Sequence, residues 1–186
     1  MTHVLTCSSS NKELRGTPKA TMDQSSLCLA CGICCDGTLF SNVKLKPHDE
    51  IAPLQAAGIV LDSDAKNFQQ PCAAHKNCAC TVYSNRPQTC QSYQCELLKR
   101  FGSGDTLHET ALAIIKKAVS LKSELKNAMA LAVTDIQSAE AISSLLKSWG
   151  QDPKIGAAHQ TYAPLFLKFM VLQLYLDRFF RKKPVA

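Results

Sequence analysis

The chain has 186 residues, 46% of them hydrophobic and 19% charged, a balance that excludes an intrinsically disordered polypeptide. At this length one domain with a core of its own, or a small domain with a helical appendage, is expected. The formal net charge of +6 does not mark a nucleic-acid surface, because residues 1–26 and 27–100 each balance to +1, and much of the +4 in residues 101–186 is the terminal Arg178, Arg181, Lys182 and Lys183.

Residues 1–26, rich in Ser, Thr and Lys, read as a flexible N-terminal extension with Cys7 as a bystander. Residues 27–100 hold turn formers and cysteines with little periodicity, and are expected to be loops and short turns held by a metal. One short helix is expected near Pro47, where Pro47-His48-Asp49-Glu50 places acid ahead of Ile51 and Leu54. From residue 101 the pattern is helical. Thr106-Leu107-His108-Glu109 fits a capping box, and Ala111, Ile114, Ala118, Leu121, Leu125, Met129 and Ala132 recur along one helical face. Ala141, Ile142, Leu145, Leu146 and Trp149 form a second periodic segment, ended by Gly150, and Asp152-Pro153 can start another turn. Pro164 to Phe180 is apolar on most faces, with Asp177 and Arg181 spaced as an i,i+4 pair. The fold class expected is mainly α: a loop-rich cysteine-cluster region followed by a small antiparallel helical bundle packed on it. Ala163 to Leu176, the most apolar stretch, is short and broken by Lys168 and Gln173, so no membrane span is expected. No secretory signal pattern opens the chain, which makes a reducing cytoplasmic location the expectation.

Nine of the ten cysteines lie between Cys28 and Cys95. A reducing compartment disfavours structural disulfides, so clustering at this density points to a metal. Cys28-x2-Cys31 and Cys31-x2-Cys34 are overlapping units, with Gly32 allowing the turn between them and Cys35 following directly. Neighbouring side chains diverge, so Cys34 and Cys35 either serve different metal atoms or only one of them is a ligand. A second group comprises Cys72, Cys78, Cys80, Cys90 and Cys95. Two clusters separated by a long loop are the usual form of a site whose halves meet only in the fold.

The pattern Cys28-x2-Cys31-Gly32-x-Cys34-Cys35, then Pro71-Cys72, then Cys80-x2-Tyr83-x2-Arg86-Pro87-x2-Cys90 and Cys95 resembles the CxxCxxCC family of zinc- or iron-chelating domains. A similar cysteine pattern occurs in flagellin lysine-N-methylases, which are larger proteins. The resemblance covers residues 27 to 98 and leaves the helical half unaddressed. It implies eight metal ligands: Cys28, Cys31, Cys34, Cys35, Cys72, Cys80, Cys90 and Cys95. Cys78 departs from the pattern and reads as a bystander, and His75 is left out of the ligand set. Arg86 and Tyr83 are expected beside the thiolates, offsetting charge and bonding sulfur.

Cys28, Cys31 and Cys34 match part of a bacterial ferredoxin run, without its C-x3-C-P ending, while eight cysteines equally suit two four-thiolate zinc sites. No phosphate-binding loop, nucleophile elbow or H-E-x-x-H motif is present to define an enzyme. The expectation is a metal-binding protein holding zinc or an iron–sulfur cluster, with a role in metal handling or redox. Two other readings are a structural-zinc module whose helical region binds a protein partner, and an accessory or catalytic component of a methylase-like protein-modifying activity.

Overall fold

Cys28 and Cys31 lie on a helix. The computed structural model describes residues 24–77, 79–132 and 159–182. Helix α1 (Gln24–Cys31) begins inside the segment expected to be an extension and buries Leu27. Its spacing of three puts Cys28 and Cys31 on neighbouring turns of one face, where a loop was expected. Gly32 ends the helix with φ +64°, its N–H bonded to the Cys28 carbonyl at 3.1 Å. A side chain here would be strained, and its Cβ would stand 2.9 Å from the His75 ring.

The rest of the cysteine region is more ordered than turn chemistry alone suggests. Strands β1 (Asn42–Lys44) and β2 (Asn67–Gln69) pair antiparallel, with Val43 opposite Phe68. Between them helix α2 (Ile51–Ala56) buries Leu54 completely. It starts at Ile51, after the acidic pair, and Pro47 sits in the preceding turn, where Asp49 accepts the Lys46 N–H. A short hairpin follows, β3 (His75–Lys76) and β4 (Ala79–Cys80), with His75 opposite Cys80. A single 3₁₀ turn (Tyr83–Asn85) leads to α3 (Gln88–Ser92) and α4 (Glu96–Gly102).

The helical half is built on α5 (His108–Ala132) and α6 (His159–Phe179). Tyr175 bonds the Ile114 carbonyl at 3.3 Å and Lys168 lies 3.9 Å from Glu124. Ascending numbers on one helix thus meet descending numbers on the other, so the pair is antiparallel, as expected. Helix α5 starts at His108, two residues after the expected cap, with the Leu107 carbonyl taking the Ala111 N–H. Ala111, Ala118, Leu121, Leu125 and Met129 are buried along its face, and Ile115 takes the deep position expected of Ile114. The Asp177–Arg181 pair forms at 2.7 Å. The periodic segment 141–149 and Asp152-Pro153 lie outside the described residues. No helix among the described residues is long and apolar enough to cross a membrane.

Two cores result. The main one has fifteen buried residues among those described, joining Leu27, Ile33 and Leu97 to the inner faces of α5 and α6 as far as Phe180. The minor one is Val43, Leu54, Ile59, Phe68 and Ala74, beneath the β1–β2 ribbon.

Candidate metal centre

The two halves of the cysteine pattern meet at the backbone, where the Cys72 N–H donates to the Cys35 carbonyl at 2.8 Å. Around that junction the thiols separate into two sets. Burial pushes the Cys31 thiol up to about 12, and charge on Cys95 and Cys28 raises it further. Cys34 is raised by burial and by Cys31, Cys95, Cys35 and Cys28. Cys35 is pushed up to about 12 by burial, and its thiol neighbours are Cys72, Cys90 and Cys80. Cys90 rises to about 11 by burial, with Cys72 and Cys80 beside it. Cys72 and Cys95 are raised by burial too, and Cys72 also feels Cys80. A first group of Cys28, Cys31, Cys34 and Cys95 therefore stands beside a second of Cys35, Cys72, Cys80 and Cys90. The adjacent Cys34 and Cys35 differ in their main thiol neighbours, although the charge of Cys35 also bears on Cys34.

Different elements supply each group. Helix α1 and its Gly32 turn carry three thiols of the first, and Cys95 comes from the start of α4. The second collects Cys35 from the loop after that turn, Cys72 from the loop after β2, Cys80 from β4 and Cys90 from α3. Among the described residues no group of three or more Cys, His, Asp or Glu side chains has the spacing to hold a metal ion as it stands. The sets are neighbourhoods of four thiols rather than closed shells. As donor chemistry they fit: four sulfurs are what zinc or an iron–sulfur cluster takes from a protein. None of the eight forms a disulfide.

Arg86 lies by the second group, as expected, and its charge offsets the rise at Cys90. The guanidinium stacks 3.7 Å from the Tyr83 ring centre and donates from Nε to the Tyr83 carbonyl. Burial lowers His75, whose ring fills the space over Gly32. Cys7 and Cys78 lie outside the described residues.

Three features of the site carried no signal in the sequence. Lys122 of α5 pairs with Asp36 at 2.5 Å, and Asp36 also accepts the Thr38 N–H. Tyr93 packs edge-on against Phe40 at 4.8 Å beside Cys34 and Cys95. Cys28, Cys34, Cys35, Cys72, Cys80 and Cys90 open on one cavity of about 230 Å³, which Phe40, Val43, Ile59 and Phe68 also line. A lone Asp or Lys has no spacing by which to announce itself.

With the geometry established, the comparison with known families is specific. Residues 27–115 match the CxxCxxCC family model, described as a putative zinc- or iron-chelating domain. This region is similar to CxxCxxCC domains. The match extends through α4 into the first turns of α5, past the cysteines themselves, and stops short of Lys122. No curated protein and no solved structure matches the chain.

Proposed function

We propose that this cysteine region holds two four-thiolate metal centres, one on Cys28, Cys31, Cys34 and Cys95 and one on Cys35, Cys72, Cys80 and Cys90. The observation that carries this reading is the grouping of the thiols, Cys34 with Cys31, Cys95 and Cys28, and Cys35 with Cys72, Cys90 and Cys80. Zinc in each centre is the favoured occupant, and an iron–sulfur cluster in each is the alternative; the role is metal handling or redox in a reducing compartment. A bound cation supplies the positive charge that lets buried thiols ionise together. The chain's own part is to hold the sulfurs out of water, set Arg86 against the second group and keep Asp36 paired with Lys122. Because the thiols are protonated when free, metal uptake releases protons and strengthens as pH rises.

The test is metal, acid-labile sulfide and absorption measured on protein purified without oxygen. Two zinc ions per chain, or two iron–sulfur clusters, is the expected stoichiometry, unchanged by Cys78→Ser. A single centre per chain would refute the division, and folded protein with no metal would refute the proposal. A second reading, a structural-zinc module that binds a protein partner, draws on the apolar side chains α6 exposes among the described residues, Leu167 at 64% and Leu174 at 63% foremost.

A further inference from the structure

We infer that the outer face of α6 is the contact by which two copies of this chain pair, antiparallel across a two-fold axis. A helix at the surface of a protein turns polar side chains outward. Helix α5 does so, with Lys116, Lys117 and Lys126 exposed. Helix α6 does not. Leu165, Leu172 and Leu176 hold its inner face in the main core. On the opposite face Phe166, Leu167, Met170, Val171 and Leu174 are exposed, with Ala163 one turn before them. Ala163, Leu167, Met170 and Leu174 are spaced by four, three and four residues, the seam along which helices pack in coiled coils. A helix apolar on two opposite faces calls for a neighbour on each, and α5 covers only the inner one.

The order of side chains along the seam points to a second copy as the other neighbour. Set antiparallel to itself about an axis between Lys168 and Phe169, the face meets its own image. Ala163 then lies opposite Leu174, Phe166 opposite Val171 and Leu167 opposite Met170. Each pair sets a bulky side chain against a smaller or a more adaptable one, the self-complementarity that a two-fold interface requires.

Charge agrees with this choice. Lys168 is the one charged residue between Ala163 and Leu174, and it lies 3.9 Å from Glu124 of α5. The seam itself therefore offers no charge to draw an anionic membrane or an acidic partner, and Arg178, Arg181 and Lys182 lie beyond its end. Area sets the strength. Five partly exposed large side chains amount to a few hundred Å² on each copy, below the roughly 800 Å² per partner of a standard stable complex. The dimer is accordingly weak and reversible, with a Kd on the order of 10 µM.

The test is sedimentation velocity on the full chain as isolated, from about tenfold below to about tenfold above that value. Monomer should pass to dimer and stop there. Leu174→Glu should weaken pairing at least about a hundredfold, because the axis repeats the lost contact twice. Its helix and metal content should not change, since Leu174 belongs to neither core. Leu167→Glu and Met170→Lys test the register. Each variant alone should stay monomeric, and an equal mixture should pair, because position 167 of one copy faces position 170 of the other. Protein that is monomeric throughout the range overturns the inference. So does mass that climbs past two copies without a plateau, or a dimer that Leu174→Glu leaves intact. A mixture no more associated than its parts overturns the antiparallel register. Monomer that instead sediments with phosphatidylserine vesicles would assign the face to a membrane and overturn the pairing. None of these outcomes touches the two-centre proposal, which metal analysis of the same samples decides separately.

Discussion

The two thiol groups rest on unequal foundations. Cys31, Cys34 and Cys95 pack against the main core of fifteen buried residues, which α5 and α6 would keep together in any case. Cys72 and Cys90 pack against the minor core of five, under two short strands and one short helix. Few apolar contacts hold the β1–β2 ribbon apart from the thiols, and lobes of this size ordinarily need a staple. The same donor chemistry therefore serves two ends. On the two-centre proposal, a metal in the first group would add to a fold, and one in the second would be part of what makes one.

Metal removal should expose that difference most strongly. Structural thiolate centres contribute on the order of 10 kcal/mol to folding. Under a strong chelator, amides of residues 42–69 should lose their hydrogen-exchange protection while buried stretches of α5 and α6 keep theirs. Uniform loss along the chain would erase the contrast.

Single ligands should repeat the asymmetry. Cys90→Ser and Cys31→Ser should each remove one metal equivalent. Cys90→Ser should also open the minor core and cost more than about 4 kcal/mol, whereas Cys31→Ser should leave the helices folded. Circular dichroism and metal content on the two variants decide it.

Core truncation separates the units without touching sulfur. Leu54 and Leu176 are both fully buried, one in each core. Leu54→Ala and Leu176→Ala should each cost about 2–5 kcal/mol. Hydrogen exchange should show the loss in the β lobe for the first and in the helices for the second. A single shared unfolding transition would argue that the cores are one cooperative unit.

Much of this organisation is legible in the residues themselves. The α5 face from Ala111 to Met129 and the Asp177–Arg181 pair follow from helical spacing, and overlapping C-x2-C units with Gly32 announce thiols converging at a turn. Which cysteine joins which group is not legible, because Cys95 lies nearer Cys90 in sequence yet sits with Cys31 in space. The main core draws Cys95 there through α4, a long-range packing effect that no local spacing encodes. The ribbon was hidden too: strands of three residues are too short to display alternation, and Val43 finds Phe68 only across a long insertion.

The metal-free protein should respond to alkali. Cys31, Cys35 and Cys90 lie above the ordinary thiol value of 9.0, at about 12, 12 and 11, mainly through burial. The folded state holds these protons more tightly than the unfolded one, so their contribution is complete below pH 9 and falls away as pH rises toward 11–12. Melting of metal-free protein should therefore drop between pH 8 and 11 by more than that of the loaded protein. Parallel curves would mean that the thiols are not buried together.

The smallest effect tests what joins the groups. Asp36 follows Cys35, and its charge raises both Cys31 and Cys35, so it faces the two sets at once. Lys122 pairs with it from α5, both side chains being largely shielded from solvent. Lys122→Met should cost about 1–2 kcal/mol, because a partly buried carboxylate loses its charged donor. It should also weaken metal retention at both centres, since Asp36 then adds uncompensated negative charge beside each. Arg86→Met should weaken the second centre alone, because among the thiols its charge bears on Cys90. Competition against a chromogenic chelator, read as two release phases, distinguishes them: Lys122→Met should speed both phases and Arg86→Met one. If Lys122→Met speeds only one phase, Asp36 belongs to a single group, and the two centres are joined by the Cys34–Cys35 backbone alone.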